Sequence, residues 1–244
     1  MKLSSLFNIA VFPFALAALN IIGSPNQAKA ATFSGNVSGS WGKPTACSIN
    51  TDPFYTGEDT NTFSWGDPTP FENASSNQLV FEGNSFSASE GSLFKIGDLT
   101  YVNGTVLLHT SVETVSLELG LSFTDSTEVD QVFDYEFYLQ NTPNLSNDPE
   151  LNADFVFVAN NDAERSFIYG GEEYTLSLTG FSEDNGKTNP SEFRVLEGEK
   201  TTSAIFAQIN KVPKPKKVPE PGFPVALSIL GVYLISRIKA KKIQ

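Results

Sequence analysis

The sequence has few of the side chains that build disulfides, metal sites and catalytic centres. Cys47 is the single cysteine among 244 residues, so no disulfide can form within the chain. His109, expected at the start of a strand, is the single histidine, which excludes a zinc site with several histidines and leaves one residue for a serine-type triad. There is no Gly-x-Ser-x-Gly motif. These absences predict that the protein is not an enzyme.

Basic side chains are scarce between residues 31 and 210. This stretch has six Lys and Arg against 27 Asp and Glu, a net charge of −21, compared with −12 for the whole chain. Such a surface repels nucleic acid and anionic lipid, and it favours contact with cations or neutral polymers. About 180 residues are enough for one well-buried core. We therefore expect a single acidic domain with no nucleic-acid partner.

The N-terminus has the three parts of a secretory signal peptide. Lys2 supplies the positive charge, residues 6–22 are largely apolar, and Ala28-Lys29-Ala30 gives the small-x-small pattern that signal peptidase recognises. Cleavage is expected before Ala31, which makes residues 1–30 the signal peptide and signal peptidase a processing partner. The alternative, an uncleaved N-terminal anchor, is disfavoured by the cleavage pattern and by two prolines in the segment.

The C-terminal tail joins a proline-rich linker, a short apolar run and a basic end. Residues 211–221 form an extended linker that ends in Pro219-Glu220-Pro221, and residues 222–236 carry no charge before Arg237. The uncharged run has 15 residues. That is about 22 Å of helix, whereas a comfortable membrane span needs about 20 residues. We predict that residues 222–244 form an apolar helix that anchors the chain in a membrane, transiently or permanently.

This tail resembles the PEP-CTERM sorting signal of exported bacterial proteins. The resemblance rests on Pro219-Glu220-Pro221, the apolar run with Leu230-Gly231, and the basic end opened by Arg237. In that family an exosortase, a membrane cysteine transpeptidase-like enzyme, recognises the motif and removes the tail. The resemblance implies a protein of the cell envelope, outer surface or extracellular matrix, with exosortase as a processing partner. The alternative is a membrane helix that is retained.

Alternation of apolar and polar residues predicts strands along the acidic domain. Residues 115–123 alternate strictly, which places one set of side chains in a core and the other in water. Residues 133–139 and 174–178 repeat the pattern. Shorter strands are predicted at residues 32–37, 61–65, 78–82, 93–96, 99–102, 154–158, 166–169, 192–196 and 203–209.

The succession of strands predicts an all-β fold for residues 31–210. No stretch of the domain has a convincing amphipathic helical pattern, and both faces of the strands need cover. We predict an antiparallel two-sheet β-sandwich, jelly-roll-like, with about ten or more strands. Gly170-Gly171, between two alternating runs, is expected to form a hairpin turn. Many of the 20 phenylalanines fall at inward positions and should fill the core.

Five short segments, in order along the domain, are informative together: Thr60–Gly66 (TNTFSWG), Leu79–Gly83 (LVFEG), Phe94–Thr105 (FKIGDLTYVNGT), Gln140–Asn144 (QNTPN) and Tyr174–Phe181 (YTLSLTGF). They resemble the choice-of-anchor K domain, which is known mostly from cyanobacterial exported proteins with a PEP-type tail. The resemblance extends over about residues 32–210. The resemblance implies an exported, anchored β domain of unassigned activity, and it supplies no catalytic residues.

Three loops rich in carboxylates and amides are candidate calcium sites, because calcium prefers hard oxygen ligands. They contain Asp59, Asp130 and Asp162, and none has the spacing of an EF-hand or of a calcium-binding repeat. The alternative is that these loops are ordinary acidic turns, since Asp and Asn favour turns through their own hydrogen bonds. No cofactor is expected, with structural calcium as the open case.

Exposed aromatic faces are candidate platforms for sugar rings, whose C–H faces are apolar. The candidates are Trp41, Trp65, Tyr55, Tyr101, Tyr138 and Tyr169. Tyr138 is the best candidate because it shares the polar face of its strand with Asp134 and Glu136. Trp65 is expected in the core.

Export, the sorting tail and the acidic sandwich favour a surface protein that binds extracellular polysaccharide or a neighbouring surface protein. Two alternatives stay open. A carbohydrate-active enzyme would need two carboxyl groups that converge in a cleft. A purely structural coat or spacer protein would need no ligand.

Overall fold

The computed structural model describes residues 30–124, 130–159 and 164–214. Within these ranges the chain forms thirteen strands and a short 3₁₀ turn at Pro149–Asn152, and it forms no α-helix. The strands are β1 (Thr32–Thr45), β2 (Tyr55–Thr56), β3 (Thr62–Trp65), β4 (Asn77–Gly83), β5 (Ser85–Ser89), β6 (Leu93–Val102), β7 (Thr114–Phe123), β8 (Gln131–Gln140), β9 (Asp154–Val158), β10 (Glu164–Tyr169), β11 (Glu172–Ser182), β12 (Glu192–Val195) and β13 (Lys200–Lys211). No helix in the described ranges has the length and apolar character to cross a membrane.

The strands form two antiparallel sheets. Sheet A has the order β12-β9-β8-β7-β1-β5, and sheet B has the order β10-β11-β13-β6-β4-β3-β2. The chain crosses from one sheet to the other repeatedly, as at β4, β5 and β6, a path that is typical of jelly rolls. The predicted all-β, antiparallel two-sheet sandwich is confirmed.

Apolar side chains of both sheets form one continuous core. The alternation predicted for β7 is confirmed, since Val115, Leu117, Leu119 and Leu121 are fully buried. Trp41 of sheet A packs edge-on against the ring of Phe137, with 5.7 Å between ring centroids, and also contacts Phe63 of sheet B. Trp65 is fully buried, as expected, and stacks between the rings of Phe63 and Tyr101. Aromatic rings therefore join the two sheets.

Two of the differences from the predicted strands concern β6 and the position of His109. Residues 93–96 and 99–102 belong to one strand, β6, because the pairing with β13 shifts register around Ile96 and absorbs the break in alternation as a bulge. His109 does not start a strand, since β7 begins only at Thr114. The predicted turn at Gly170-Gly171 is confirmed: both residues have positive φ, and they connect the paired strands β10 and β11.

Different strand termini meet at the two ends of the sandwich. At one end, which we call the terminal end, β1 begins and β13 finishes. Both strands reach the same turn there, because Glu90 donates its N–H to the carbonyl of Ala31 and Gly91 donates its N–H to the carbonyl of Ile209. At the other end, the loop end, β1 finishes and β13 begins. The 12 residues of β13 separate the two ends, a distance of about 35 Å at roughly 3.3 Å per residue.

Candidate functional site

A cleft of about 690 Å³ opens at the loop end of the sandwich. Its walls come mainly from five connections that are distant in sequence: residues 47–50 after β1, Phe71 between β3 and β4, residues 104–113 between β6 and β7, residues 141–145 after β8, and the turn at Glu197 before β13. A concave site of this size is large enough for a small molecule or for one or two units of a polymer.

Buried asparagine side chains hold the β6–β7 connection in place. Asn103 donates its Nδ2 to the carbonyl of Val195 at 3.0 Å, and Asn77 accepts the N–H of Gly104 at 2.7 Å. A side chain at Gly104 would place its Cβ 2.0 Å from the carbonyl oxygen of Ser75, so only glycine fits there. These contacts tie β4, β12 and the cleft loop into one rigid unit.

Two amide groups around the cleft have unused hydrogen-bonding atoms. Asn77 is fully buried and lines the cleft, and its Nδ2 has no partner among the described residues. Asn141 donates its Nδ2 to the hydroxyl of Ser111 at 2.5 Å, but its buried Oδ1 likewise has no partner in the described ranges. Buried polar atoms are rarely left without partners. One donor and one acceptor therefore remain for a water molecule or for the hydroxyl groups of a ligand.

Asp154 provides a buried carboxyl group at the cleft. It is 3% exposed and is the first residue of β9. Its Oδ1 accepts the N–H of Thr142 at 2.7 Å, and its Oδ2 accepts the phenolic O–H of Tyr101 at 3.2 Å. Burial raises the pKa of Asp154 to about 6 and outweighs these hydrogen bonds, which lower it; the charge of Glu197 raises the pKa further. Asp154 thus changes charge within the physiological pH range.

Glu197 is the second carboxyl group that the structure brings to this part of the cleft. It is half-buried, and the hydroxyl of Thr105 donates a 2.6 Å hydrogen bond to its Oε1. The charge of Glu197 contributes to the raised pKa of Asp154, and both residues line the same cleft. The cleft therefore contains a pair of interacting acids, which the sequence did not reveal.

Exposed apolar side chains surround the cleft. Five of the ten large apolar side chains that are exposed among the described residues line it: Ile49, Phe71, Leu107, Leu108 and Leu145. Leu145 is 90% exposed and Leu108 is 75% exposed. Scattered exposed leucines are ordinary, but apolar side chains concentrated at one concave site indicate a binding surface.

Tyr138, the predicted sugar platform, lies at this cleft. It is half-buried on the outer face of β8, and its ring stacks on that of Phe157 with 5.2 Å between centroids and 15° between ring planes. Both rings line the cleft. The other aromatic candidates fit this role less well, because Trp41, Trp65 and Tyr101 are buried and Tyr55 and Tyr169 pack partly against the core.

The other predicted site residues do not meet in one place. Asp59 and Asp130 are exposed on separate loops, and Asp162 lies outside the described residues. In the described ranges no group of three or more His, Cys, Asp and Glu side chains is arranged to hold a metal ion. The sorting residues Pro219, Glu220, Pro221 and Arg237 and the signal-peptide residue Ala28 also lie outside the described residues.

The single cysteine and the single histidine both line the cleft. The ring of His109 donates its Nδ1 hydrogen to the carbonyl of Ile49 at 2.7 Å, which joins the β6–β7 connection to the loop after β1. Cys47 lies near the amide of Asn50, with 3.6 Å between Sγ and Nδ2. Both residues thus help to shape the cleft wall.

No protein-family model matches the chain, and no curated protein sequence is significantly similar to it. The function therefore has to be inferred from the cleft and from the signals in the sequence.

Proposed function

We propose that the protein is an exported surface or extracellular-matrix protein whose acidic β-sandwich binds polysaccharide in the cleft at its loop end. The observation that carries this proposal is the position of the cleft. The described chain leaves the sandwich at the terminal end, where Lys211 and Lys214 pair with Glu172. A domain tethered through the segment that follows would hold its cleft about 35 Å from the point of attachment. Such a module can reach ligands in its surroundings.

The chemistry of the cleft supports a sugar ligand. Stacked aromatic rings offer an apolar face to sugar C–H groups. The unpaired amide atoms of Asn77 and Asn141 are buried beside the cleft, and a small side-chain shift would present a donor and an acceptor to sugar hydroxyls. Binding sites with mostly apolar walls and a few placed polar groups are typical of small-ligand recognition. Segments 94–105 and 140–144, which resemble the choice-of-anchor K domain, both reach the cleft.

The role of Tyr138 as a platform for sugar rings can be tested by replacing it with alanine. Loss of one stacking ring, worth about 1–1.5 kcal/mol, should weaken polysaccharide binding about tenfold. Binding would be screened on a glycan array with the purified full-length protein and then measured by calorimetry on the best ligand. Tyr138→Phe is the matched control, because it keeps the ring, and it should bind within about twofold of the wild type.

Two results would contradict the proposal: a wild-type protein that binds no polysaccharide, or a Tyr138→Ala variant that binds as tightly as the wild type. Capture of a neighbouring surface protein without any glycan binding would instead favour a protein partner at the apolar side chains around the cleft.

Export and sorting form the second part of the proposal and rest on the two ends of the sequence. Signal peptidase should cut before Ala31, and exosortase should remove the apolar tail near Pro219-Glu220-Pro221. We expect mass spectrometry of the native protein to find Ala31 at the N-terminus and to find no peptide from residues 222–244. Recovery of a native chain that still carries Met1 and Gln244 would overturn the export proposal, whereas loss of the N-terminal segment alone would favour a retained membrane helix.

A carbohydrate-active enzyme is the second candidate, because Asp154 and Glu197 line the same cleft. A carboxyl group with a pKa of about 6 suits a general acid, and glycoside hydrolysis uses two carboxyl groups. If the protein hydrolyses its ligand, reducing ends should accumulate during incubation with the bound polysaccharide and should be absent with Asp154→Asn. A stable polysaccharide complex without new reducing ends favours the binding function.

A further inference from the structure

The charged groups of the cleft are all of one sign near neutral pH. Glu113, Asp154 and Glu197 line the cleft, and no Lys or Arg is among its lining residues in the described part of the chain. Glu113 is exposed at the margin, Glu197 is half-buried and Asp154 is 3% exposed. The nearby Arg194 lies outside the cleft, where its guanidinium pairs with the carboxylate of Glu150 at 2.7 Å. The negative charge of the cleft thus has no Lys or Arg partner among the described lining residues, and the one imidazole there, that of His109, is bonded to the carbonyl of Ile49.

A cluster of acids on an acidic domain does not by itself define a site, but here buried polar groups accompany it. The fully buried Asn77, with its unpaired Nδ2, lines the same cleft as Asp154. The carboxyl group of Asp154 is held rigidly by Thr142 and Tyr101. Preorganised polar groups of this kind recognise a ligand with little loss of conformational entropy.

We infer that the cleft recognises an amino sugar, whose ammonium group pairs with the carboxylates of Asp154 and Glu197 while its ring packs against Tyr138. This inference rests on the proposed polysaccharide-binding function and names the class of sugar. The amine supplies the positive charge that the cleft lacks. The unpaired Nδ2 of Asn77 and Oδ1 of Asn141 are buried beside the cleft, and a small shift of these side chains would present a donor and an acceptor to the sugar hydroxyls.

Neutral and acidic sugars fit the cleft less well. An acidic sugar would meet like charges, which disfavour binding. A neutral sugar would cover the half-buried carboxylate of Glu197 without pairing its charge, and a charge removed from water without a partner is costly. Asp154 is buried and Glu197 is half-buried, so water has limited access to both carboxylates, which strengthens an ammonium–carboxylate pair.

The test compares three short oligosaccharides with the purified full-length protein by calorimetry at pH 7: a glucosamine oligomer, the corresponding N-acetylglucosamine oligomer and a glucose oligomer. The first two differ only in the charge and acetylation of the amine. We expect the glucosamine oligomer to bind about tenfold more tightly than the other two, as one charge-assisted contact predicts.

Three variants test whether the cleft carboxylates cause this preference. Asp154→Asn and Glu197→Gln each remove one of the two carboxylates and keep the shape of the side chain, so each should reduce the roughly tenfold preference for the glucosamine oligomer about threefold. Glu173→Gln is the control, because it removes an exposed carboxylate at the terminal end, away from the cleft. Its neighbour Tyr174 pairs with Lys211 at the end of β13. This variant should leave the preference unchanged.

The outcomes separate the inference from the proposed function. Equal binding of all three oligomers would overturn the amino-sugar inference and leave polysaccharide binding intact. A preference that falls as much with Glu173→Gln as with Asp154→Asn would show general attraction to an acidic domain, and would also overturn the inference. If none of the three oligomers binds and the glycan array shows no ligand, the proposed polysaccharide-binding function itself is contradicted.

Discussion

Replacing Trp41 with alanine should lower the free energy of unfolding by about 3–5 kcal/mol, the range expected when a large aromatic side chain is removed from a core. Trp41 is fully buried and contacts rings of both sheets, those of Phe63 and Phe137. Its Nε1 also donates to the carbonyl of Asn61 at 3.1 Å. The alanine variant would leave a cavity between the sheets and would remove one of the two hydrogen bonds that the carbonyl of Asn61 accepts, the other coming from the N–H of Phe81.

Urea denaturation of the purified protein measures this effect. Val132→Ala is the control, because Val132 is also apolar but 59% exposed, and its replacement should change the free energy of unfolding by less than about 0.5 kcal/mol. A loss below about 1 kcal/mol for Trp41→Ala would mean that the two sheets do not share the core described above.

Replacing Asp154 with asparagine should stabilise the protein at pH 8 and have little effect at pH 4. Burial raises the pKa of Asp154 from its ordinary 3.8 to about 6, so the folded protein binds this proton more tightly than the unfolded chain does. The stability that Asp154 contributes is greatest below pH 4 and is lost as the pH rises through 6. The difference in unfolding free energy between variant and wild type should therefore grow by about 3 kcal/mol from pH 4 to pH 8.

The control for this pH dependence is a carboxyl group with the opposite shift. The backbone N–H of Thr188 and the hydroxyl of Ser182 hold the pKa of Asp184 below its usual value. The stability contributed by Asp184 is therefore present above its unfolded pKa and is lost as the pH falls. Asp184→Asn should destabilise the protein at pH 8 and should have a smaller effect on its free energy of unfolding at pH 3. A difference for Asp154→Asn that stays flat from pH 4 to pH 8 would show that Asp154 is not held in a desolvated site.

Much of the fold could be predicted because alternation along a strand records which face is buried. In β7 every second residue from Val115 to Leu121 is buried, as the sequence indicates. Where the alternation is interrupted, the prediction was wrong: the bulge at Ile96 divides the pattern of β6 into two apparent strands. The strand β5 was missed because Ser85–Ser89 has only Phe86 and Ala88 as apolar residues.

The cleft could not be predicted, because it is built by connections that are distant in sequence. Asp154 was expected only as the first residue of a strand, and its burial depends on Tyr101 and Thr142 in two other parts of the chain. Tyr138 was predicted correctly as a residue of the outer face, because period-two alternation places it there. Its partner Phe157 was missed, because the register between β8 and β9 brings the two rings together.

We expect ligands to bind in the cleft at the loop end, opposite the point where the described chain leaves the sandwich. Hydrogen–deuterium exchange of the full-length protein, with and without the oligosaccharide that binds best, tests it most directly. When the oligosaccharide is bound, we expect slower exchange in residues 104–113 and 138–145 and around Glu197, and no change in residues 164–178. Protection confined to residues 164–178, or to any other face with the cleft unchanged, would contradict it.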